Sequence, residues 1–447
     1  MAPLRRQGIP SSSDLSVALR WLAASLKLPL LALGLLLLAL CAWWPTFQSL
    51  AQPSADQVWE AYGLATACLA QPSALGWMGP VSDGSAAASL FAPGLFAPVL
   101  PGLACRLAQG SALHPLQAYL LVGLVFTALL AYISCRWAGF GGNVCLISAF
   151  LISTAPCSFS RVGHLGLAVL IPVLPTLVAC LQLRRSLWNG SSPLALFGTG
   201  AVAALLTFPS QDYYVVFSVL LLFATLALLL LIASATSLDV APLAVQFRRG
   251  AIFIAGFMVV LLMVFLPKLM GAGLISFGGA SGASYAGVPA SWSAPRLATE
   301  QFRYGLLPFT WLIPSPWLAA TLEALRAGWV NTGSESYTMS VGSLLIPIGW
   351  LAAIRRLAQR RLLDAAESRP QRLISDADRR FLALLLLLAT ALGLLVMTMG
   401  GLGTLFAVFV SPVLRSLNRF TALVFGAAVL YLMAEFDLWL QRRDQTA

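Results

Sequence analysis

The sequence predicts an all-α polytopic membrane protein, and three observations support this fold class. Apolar residues make up 59% of the 447 residues and charged residues only 10%, whereas a soluble domain carries about 25% charged residues. Repeated apolar runs are long enough to cross roughly 30 Å of hydrocarbon as helices. The alternating pattern of a membrane β-barrel is absent. The chain is therefore expected to form a single transmembrane domain over residues 1–447.

The apolar runs predict about ten transmembrane helices, several of which end at proline residues or arginine pairs. The predicted helices cover residues 27–46, 114–134, 143–159, 166–183, 194–209, 213–235, 251–270, 339–354, 381–400 and 420–438. We interpret the first run as a membrane helix and not as a signal peptide. Trp43, Trp44 and Pro45 stand there in place of the small residues that a cleavage site requires.

The distribution of basic residues predicts the orientation in the membrane. Most of the 27 lysine and arginine residues share one side if the N-terminus is cytoplasmic, including the basic cytoplasmic loop 355–380. The positive-inside rule therefore predicts cytoplasmic N- and C-termini. The Leu, Ala and Arg usage, without eukaryotic sorting signals, indicates a bacterial inner (plasma) membrane. The basic residues on the cytoplasmic side explain the net charge of +11. The expected partner is therefore a lipid bilayer, and no nucleic acid is expected. The basic run 355–361 is interpreted as an inner anchor, with contact to anionic lipid as the alternative.

Two long outer segments, 47–113 and 271–338, separate predicted helices. Loops longer than ~12–15 residues are usually functional. The first outer segment contains a predicted amphipathic helix (DQVWEAYGLATACLA) and ends in an apolar stretch, 89–108, that prolines interrupt. This stretch is predicted to lie in the membrane interface, because a spanning helix there would invert every later loop. Cys68 and Cys105 would pair if this compartment is oxidising, and two separate thiols are the alternative.

Ionisable residues collect at the predicted outer ends of the helices, and the middles of the helices are almost free of them. Arg161 and His164 are three residues apart, which places them on one face of a helix. Gln211 and Asp212 form a tight outer turn. The other outer residues are Asp56 and Asp83 in the first outer segment, Glu300, Arg303 and Glu335 in the second, and Arg415 and Arg419 before the last helix. Ion-coupled transporters need polar groups near the midplane, so this distribution favours an enzyme at the outer interface.

An outer site of this composition suits sugar transfer from a polyprenyl phosphate to an acceptor hydroxyl. A carboxylate takes the proton of the acceptor, and cationic groups hold the leaving phosphate. Asp56 is the predicted base, with helix N-capping as its alternative role. The other outer residues named above are predicted to bind substrate. Their alternatives are a turn at Asp83, a helix cap at Asp212 and interfacial anchoring of the arginines. No zinc, haem or nucleotide motif is present, so neither a cofactor nor a metal is expected.

The layout around these residues resembles the GT-C superfamily of integral membrane glycosyltransferases, and most closely its bacterial branch of large hydrophobic, YfhO-like proteins. The similarity begins with one helix followed by a long outer loop that holds an acidic residue and interfacial helices. It continues in the segments RVGHLGLAVLIPVLPTLVACLQLRR, FPSQDYYVVFSVLLL, LLPFTWLIPSPW, NTGSESYTMSVGSLL and LRSLNRFTALVF. The resemblance implies a GT-C-like fold and an inverting hexosyl- or pentosyltransferase that uses a polyprenyl-phosphate sugar. Asp56 would take the place of the family's acid in the first loop.

Two departures from the family's pattern concern the metal and the acceptor. Asp56 and Glu60 lie four residues apart in place of a DxD motif, so metal dependence is not expected. The chain ends soon after the last predicted helix, which favours a cell-envelope glycan or lipid over a protein as acceptor. Two alternative functions remain open. One is a transporter or flippase of lipid-linked saccharides, and the other is a polymerase or ligase of surface polysaccharide.

Overall fold

A computed structural model describes the helical part of the chain. The described residues are 12–51, 99–159, 169–188, 191–207, 212–235, 242–271, 344–359, 374–397, 402 and 417–446. Within these ranges every regular element is helical, which confirms the predicted all-α class. The longer helices, in chain order, are α1 (Ser12–Ser49), α2 (Val99–Gln109), α3 (Pro115–Ala138), α4 (Gly142–Ser153), α5 (Val173–Trp188), α6 (Pro193–Thr207), α7 (Asp212–Ala235), α8 (Leu243–Gly271), α9 (Leu345–Ala358), α10 (Asp376–Met397) and α11 (Thr421–Thr446).

The helices make this a multi-pass membrane protein, because 7 of the described helical stretches are long and apolar enough to cross a bilayer. They lie in α1, α3, α4 with the helical turn after it, α7, α8, α10 and α11. The remaining predicted spans fall on α5, α6 and α9, which have 16, 15 and 14 described residues. The described helices thus support at least a seven-span protein, and the number ten stays a prediction.

Several helices extend further than hydropathy predicts. Helix α1 begins at Ser12 and α8 begins at Leu243, whereas the apolar runs start at residues 27 and 251. As a result Arg248 and Arg249 lie inside α8 and not in a loop. Backbone hydrogen bonding does not stop where the hydrocarbon ends, and arginine stems extend along a helix while the charged heads reach water.

Helix α2 begins within the apolar stretch 89–108 and has 11 described residues. Residues 89–98 lie outside the described part of the chain, so the interfacial position of this stretch stays a prediction. Leu100 and Ala104 of α2 are buried with Leu116 and Leu120 of α3 in one apolar cluster. This packing ties α2 to the start of α3.

Helices α5 and α11 form the centre of the bundle. Every residue from Val173 to Leu183 on α5 is buried, as is the first half of α11. By contrast α1 is peripheral, because only 6% of its spanning stretch is buried and Leu30 is 63% exposed. Leucine exposed to lipid tails costs little, since the tails are as apolar as the side chain.

Helices α6 and α8 cross at two glycines. A Cβ atom at Gly200 would lie 2.0 Å from the carbonyl oxygen of Phe253, and one at Gly256 would lie 2.1 Å from that of Phe197. Only glycine permits such an approach of two backbones, which is a common way for membrane helices to pack.

Contacts between helix ends sort the described ends into two groups. We call the end that contains Trp43, Leu116 and Phe420 the outer end, after the predicted orientation. The end that contains Arg184 and Asp378 is called the inner end.

Candidate functional site

The predicted site residues lie largely beyond the described ranges. Asp212 is described through its backbone, as the first residue of α7, and Arg419 is described with its side chain. Outside the described residues lie Asp56, Asp83, Arg161, His164, Gln211, Glu300, Arg303, Glu335 and Arg415. The roles predicted for all of these residues therefore stay predictions.

Asp212 and Arg419 lie on elements that contact each other at the outer end. Arg419 belongs to a 3₁₀ turn, Leu417–Phe420, that leads directly into α11. The ring of Phe420 packs edge-on against Phe217 of α7, with 5.3 Å between ring centroids. The side chain of Arg419 is buried, with 8% exposure.

Both flanks of the segment 160–168, which carries the predicted arginine–histidine pair, are packed at the outer end. On one flank the ring of Phe159 stacks on Trp43 of α1, with 4.2 Å between centroids. The indole N–H of Trp43 donates to the carbonyl oxygen of Ser153 at 2.8 Å. On the other flank Val169 is buried in the same apolar cluster as Trp43. The described residues on both sides of the segment 160–168 thus lie next to α1.

A capping box fixes the start of α3 beside the end of α1. The backbone N–H of His114 donates to the side-chain oxygen of Gln117 at 2.9 Å, and Nδ1 of His114 accepts from the N–H of Leu116 at 3.3 Å. The amide nitrogen of Gln117 donates to the carbonyl oxygen of Phe47 at 2.8 Å. Burial lowers the pKa of His114, which keeps the ring neutral and able to accept. The first outer segment therefore leaves the bundle from a fixed position.

Cys105 of α2 is disulfide-bonded, as the predicted pairing with Cys68 requires. Cys68 itself lies outside the described residues. The free thiols in the described ranges are Cys41, Cys135, Cys145, Cys157 and Cys180. Cys105 is buried in the outer cluster with Leu100 and Leu116, so the disulfide belongs to the outer end.

The inner end holds a network of charged side chains that sequence reasoning did not find, and Asp378 is its most buried member. One oxygen of Asp378 accepts from Arg184 at 2.5 Å, and the other accepts from Arg185 at 2.9 Å. Asp378 also forms a capping box with Ser375, in which each side chain accepts from the other residue's N–H, at 3.0 and 3.1 Å. Because its acceptor positions are occupied, this carboxylate is unsuited to act as a base. It joins α5 to the start of α10.

A second carboxylate, Asp376, collects three guanidinium groups. It pairs with Arg356 of α9 and, from its own helix, with Arg379 at 3.2 Å and Arg380 at 2.9 Å. Glu435 of α11 lies 3.8 Å from Nε of Arg356. The side chain of Asp376 is 38% exposed, against 5% for Asp378. This half of the network therefore faces the headgroup and water region.

Further contacts bring the remaining inner ends into the same network. Arg185 donates to the carbonyl oxygen of Ala138, and Arg249 to that of Leu187, both at 2.9 Å. The N–H of Gly141 donates to Asp437 of α11 at 3.3 Å. Hydrogen bonds thus join the inner ends of α3, α5 and α8, and separately those of α4 and α11. The motif S-x-x-D before an apolar run signals a capping box at residues 375–378, but sequence does not reveal which arginines its acid binds.

Between the two ends of the bundle, the described helices contact each other through hydroxyl groups. Thr176 of α5 and Ser218 of α7 share a hydrogen bond of 2.6 Å. The indole N–H of Trp350 donates to Thr390 at 2.8 Å. These hydroxyls bind neighbouring helices, as is usual in membrane bundles. They offer no line of ionisable groups for carrying a charged saccharide across the membrane.

Comparison with known proteins finds no match: neither a family model, nor a curated protein, nor a solved structure is similar to this chain. The resemblance to GT-C enzymes thus stays a prediction from the quoted motifs. Among the described residues no group of three His, Cys, Asp or Glu side chains is arranged to hold a metal ion. The expectation of a metal-independent site stays untested.

Proposed function

We propose that this protein is a membrane glycosyltransferase with a GT-C-like fold. It transfers a sugar from a polyprenyl-phosphate donor to a cell-envelope glycan or lipid. Asp56 acts as the base toward the acceptor hydroxyl. Arg161, His164, Arg415 and Arg419 bind the phosphate and stabilise its charge as the sugar leaves.

The observation that carries the proposal is the contact of Phe217 with Phe420 at the outer end. It joins the helix that begins at Asp212 to the turn that holds Arg419. A guanidinium near the outer membrane surface is the kind of group that binds a phosphate by charge-assisted hydrogen bonds. A lipid-linked phosphate would reach it from within the bilayer, where its hydrocarbon tail already resides.

We further propose a bacterial inner membrane with both termini in the cytoplasm. The arginine-rich network at one end of the bundle supports this orientation through the positive-inside rule. The disulfide-bonded Cys105 lies at the other end, which agrees with an oxidising compartment on that side. The donor lipid and the envelope acceptor would both be reached from there.

The ion pairs of the described helices gather at the inner end and form no continuous polar path, which disfavours the flippase alternative, since a charged saccharide needs such a path. The polymerase or ligase alternative shares the requirement for outer arginines. A polymerase or ligase does not depend on an acidic residue of the first outer segment as its base. The effect of replacing Asp56 on activity therefore distinguishes the two kinds of enzyme.

Transfer of sugar by the purified protein tests the proposal. The protein is given a panel of polyprenyl-phosphate sugars and a membrane lipid and glycan extract as acceptor. We expect Asp56→Asn to lower turnover by about 10²–10⁴-fold, the usual contribution of a general base. Glu60→Gln removes the same charge four residues away and is expected to leave turnover within a factor of about three of wild type, because it takes no proton.

Three results would decide against parts of this proposal. Equal losses of turnover in Asp56→Asn and Glu60→Gln would mean that the negative charge of the first outer segment supports activity and that Asp56 is not a base. Full activity of Asp56→Asn together with inactive Arg161→Gln and His164→Gln would favour the polymerase or ligase. Movement of labelled lipid-linked saccharide across vesicles without any transfer would favour the flippase.

A further inference from the structure

We infer that the disulfide of Cys105 is made with Cys68, and that this bond holds the stretch carrying Asp56 against the outer end of the bundle. The bond itself is independent of the proposed function, and only its role toward Asp56 rests on that function. Three features carry the inference: the number of cysteines, the burial of Cys105 and the fixed end of α1.

The number of cysteines identifies the partner of Cys105. The chain has 7 cysteines, and Cys105 is disulfide-bonded. The other described cysteines carry no disulfide, and they are Cys41, Cys135, Cys145, Cys157 and Cys180. Cys68 lies outside the described residues and is the cysteine of the chain that remains. A bond within the chain therefore joins Cys105 to Cys68.

Formation of this bond requires an oxidant at the outer end. The two Sγ atoms join, each thiol gives up one proton, and the two electrons reduce the disulfide of a thiol–disulfide oxidoreductase to two thiols. Such oxidants act outside the reducing cytoplasm. At the inner end, the thiols of Cys135 and Cys145 contact each other and remain unbonded. This difference between the two ends agrees with an oxidising compartment on the side of Cys105.

Cys105 is a fixed anchor for the bond. Its side chain is buried in the outer apolar cluster, together with Leu100 and Ala104 of its own helix and Leu116 and Leu120 of α3. This packing holds α2 against the start of α3. A bond to Cys105 therefore ties the first outer segment to a packed part of the bundle.

The chain before Asp56 is attached to the same cluster. Leu50, directly after α1, is fully buried there, and Phe47 accepts a hydrogen bond from Gln117 of α3 at 2.8 Å. Asp56 follows Leu50 by six residues, which span at most roughly 20 Å. The disulfide returns the chain to the cluster at Cys68. A segment with both ends attached has fewer conformations than one with a distant second end, so the bond restricts the positions that Asp56 can take.

Peptide mapping of the purified full-length protein tests the bond. Thiols are alkylated in denaturant at mildly acidic pH, where disulfide exchange is slow because thiolates are scarce, and the protein is digested without reductant. We expect the cysteines without a disulfide to be alkylated, and Cys68 and Cys105 to react only after reduction. One linked peptide pair should contain Cys68 and Cys105.

Two serine variants complete the mapping. Cys68→Ser should leave Cys105 as a thiol that is alkylated before reduction. Cys41→Ser is the matched control, because it removes an exposed thiol, and it should leave the linked pair intact. Alkylation of Cys68 and Cys105 in the wild type without reductant would overturn the inference. A link between Cys105 of two chains, seen as a dimer that reductant separates, would overturn it as well.

Turnover in the glycosyl-transfer assay tests the role of the bond. We expect Cys68→Ser to lower turnover by at least about tenfold, because displacing a catalytic group by about 1 Å can cost 10²-fold. Added to Asp56→Asn, the same change should have little further effect, since no base is left to position. Equal losses in the wild-type and Asp56→Asn backgrounds would indicate general loosening of the protein and would reject a role in positioning Asp56.

The two measurements separate failure of the bond from failure of the proposed function. Cys41→Ser should keep the turnover of the wild type. Peptide mapping does not depend on sugar transfer. Linked peptides in a protein that transfers no sugar would retain the disulfide and would reject the proposed function together with the role of the bond in it.

Discussion

Replacing Asp378 by alanine is expected to destabilise the protein by about 3–5 kcal/mol, the usual cost of removing one partner from a buried ion pair. The substitution leaves Arg184 and Arg185 without their carboxylate and removes the side chain that accepts from the N–H of Ser375. Each charge-assisted hydrogen bond contributes about 1.5–3 kcal/mol and the cap about 1 kcal/mol. The sum of these hydrogen-bond and cap contributions is an upper bound on the destabilisation, because both arginine side chains are 18% exposed and regain some water.

Two further variants separate charge from shape. Asp378→Asn keeps an oxygen that accepts from Ser375 but loses the charge, so its destabilisation should be smaller than that of Asp378→Ala. Asp376→Asn removes a carboxylate two residues away on the same helix. Because the side chain of Asp376 is 38% exposed, water screens its pairs, and we expect a loss of about 1 kcal/mol or less.

Thermal unfolding in detergent, followed with a thiol-reactive dye, measures these effects. The buried free thiols of Cys135, Cys145, Cys157 and Cys180 react only when the bundle opens. The midpoints should fall in the order wild type, Asp376→Asn, Asp378→Asn, Asp378→Ala. If Asp376→Asn lowers the midpoint as much as Asp378→Ala, buried pairing does not determine the stability of the inner end.

Three other substitutions test the packing of the bundle. Gly200→Ala would place a methyl group against a backbone carbonyl of α8. We expect this overpacking to lower the free energy of unfolding by about 1–3 kcal/mol. The control Gly198→Ala adds a methyl group in open space and should be nearly neutral in the same thiol assay. Trp43→Phe loses the hydrogen bond to α4 and should cost about 1 kcal/mol, whereas Trp44→Phe, at an exposed position, should cost less. Burial lowers the pKa of His114 below its ordinary value of 6.5, so as the pH falls the unfolded chain protonates this imidazole before the folded chain does. The contribution of neutral His114 to stability is therefore present above pH 6.5 and is lost as the pH falls through the lowered pKa. Titrating the unfolding midpoint of wild type against His114→Asn, which caps without titrating, checks this, and parallel curves would contradict it.

The candidate site could be predicted from sequence only as a set of positions on one side of the membrane. The sequence placed Arg419 before the last helix on the outer side, and nothing in it indicated that the side chain is buried. Its burial follows from the packing of Phe420 against Phe217, two residues that are far apart in the chain. The pairs of the inner network could not be predicted, because Asp378 and Arg184 lie 194 residues apart and a charge pattern does not show which acid meets which arginine.

By itself the sequence determined that the chain forms apolar helices, and it predicted which of their ends share a side. Both follow from local properties, because backbone in lipid must satisfy its hydrogen bonds within each helix and because basic residues are retained on the inner side. The capping box of Ser375 and Asp378 is likewise a local feature with a readable motif.

Only the tertiary structure decided which helices are neighbours. Runs of leucine and alanine pack equally well against lipid or against each other, so hydropathy does not distinguish the central α5 from the peripheral α1. The neighbours are selected by a few specific contacts: the close approach at Gly200, the indole of Trp43 on α4, and the pairing of Asp378 with Arg184, which lies 194 residues away. Such pairs depend on three-dimensional proximity, and a single sequence carries no record of that proximity.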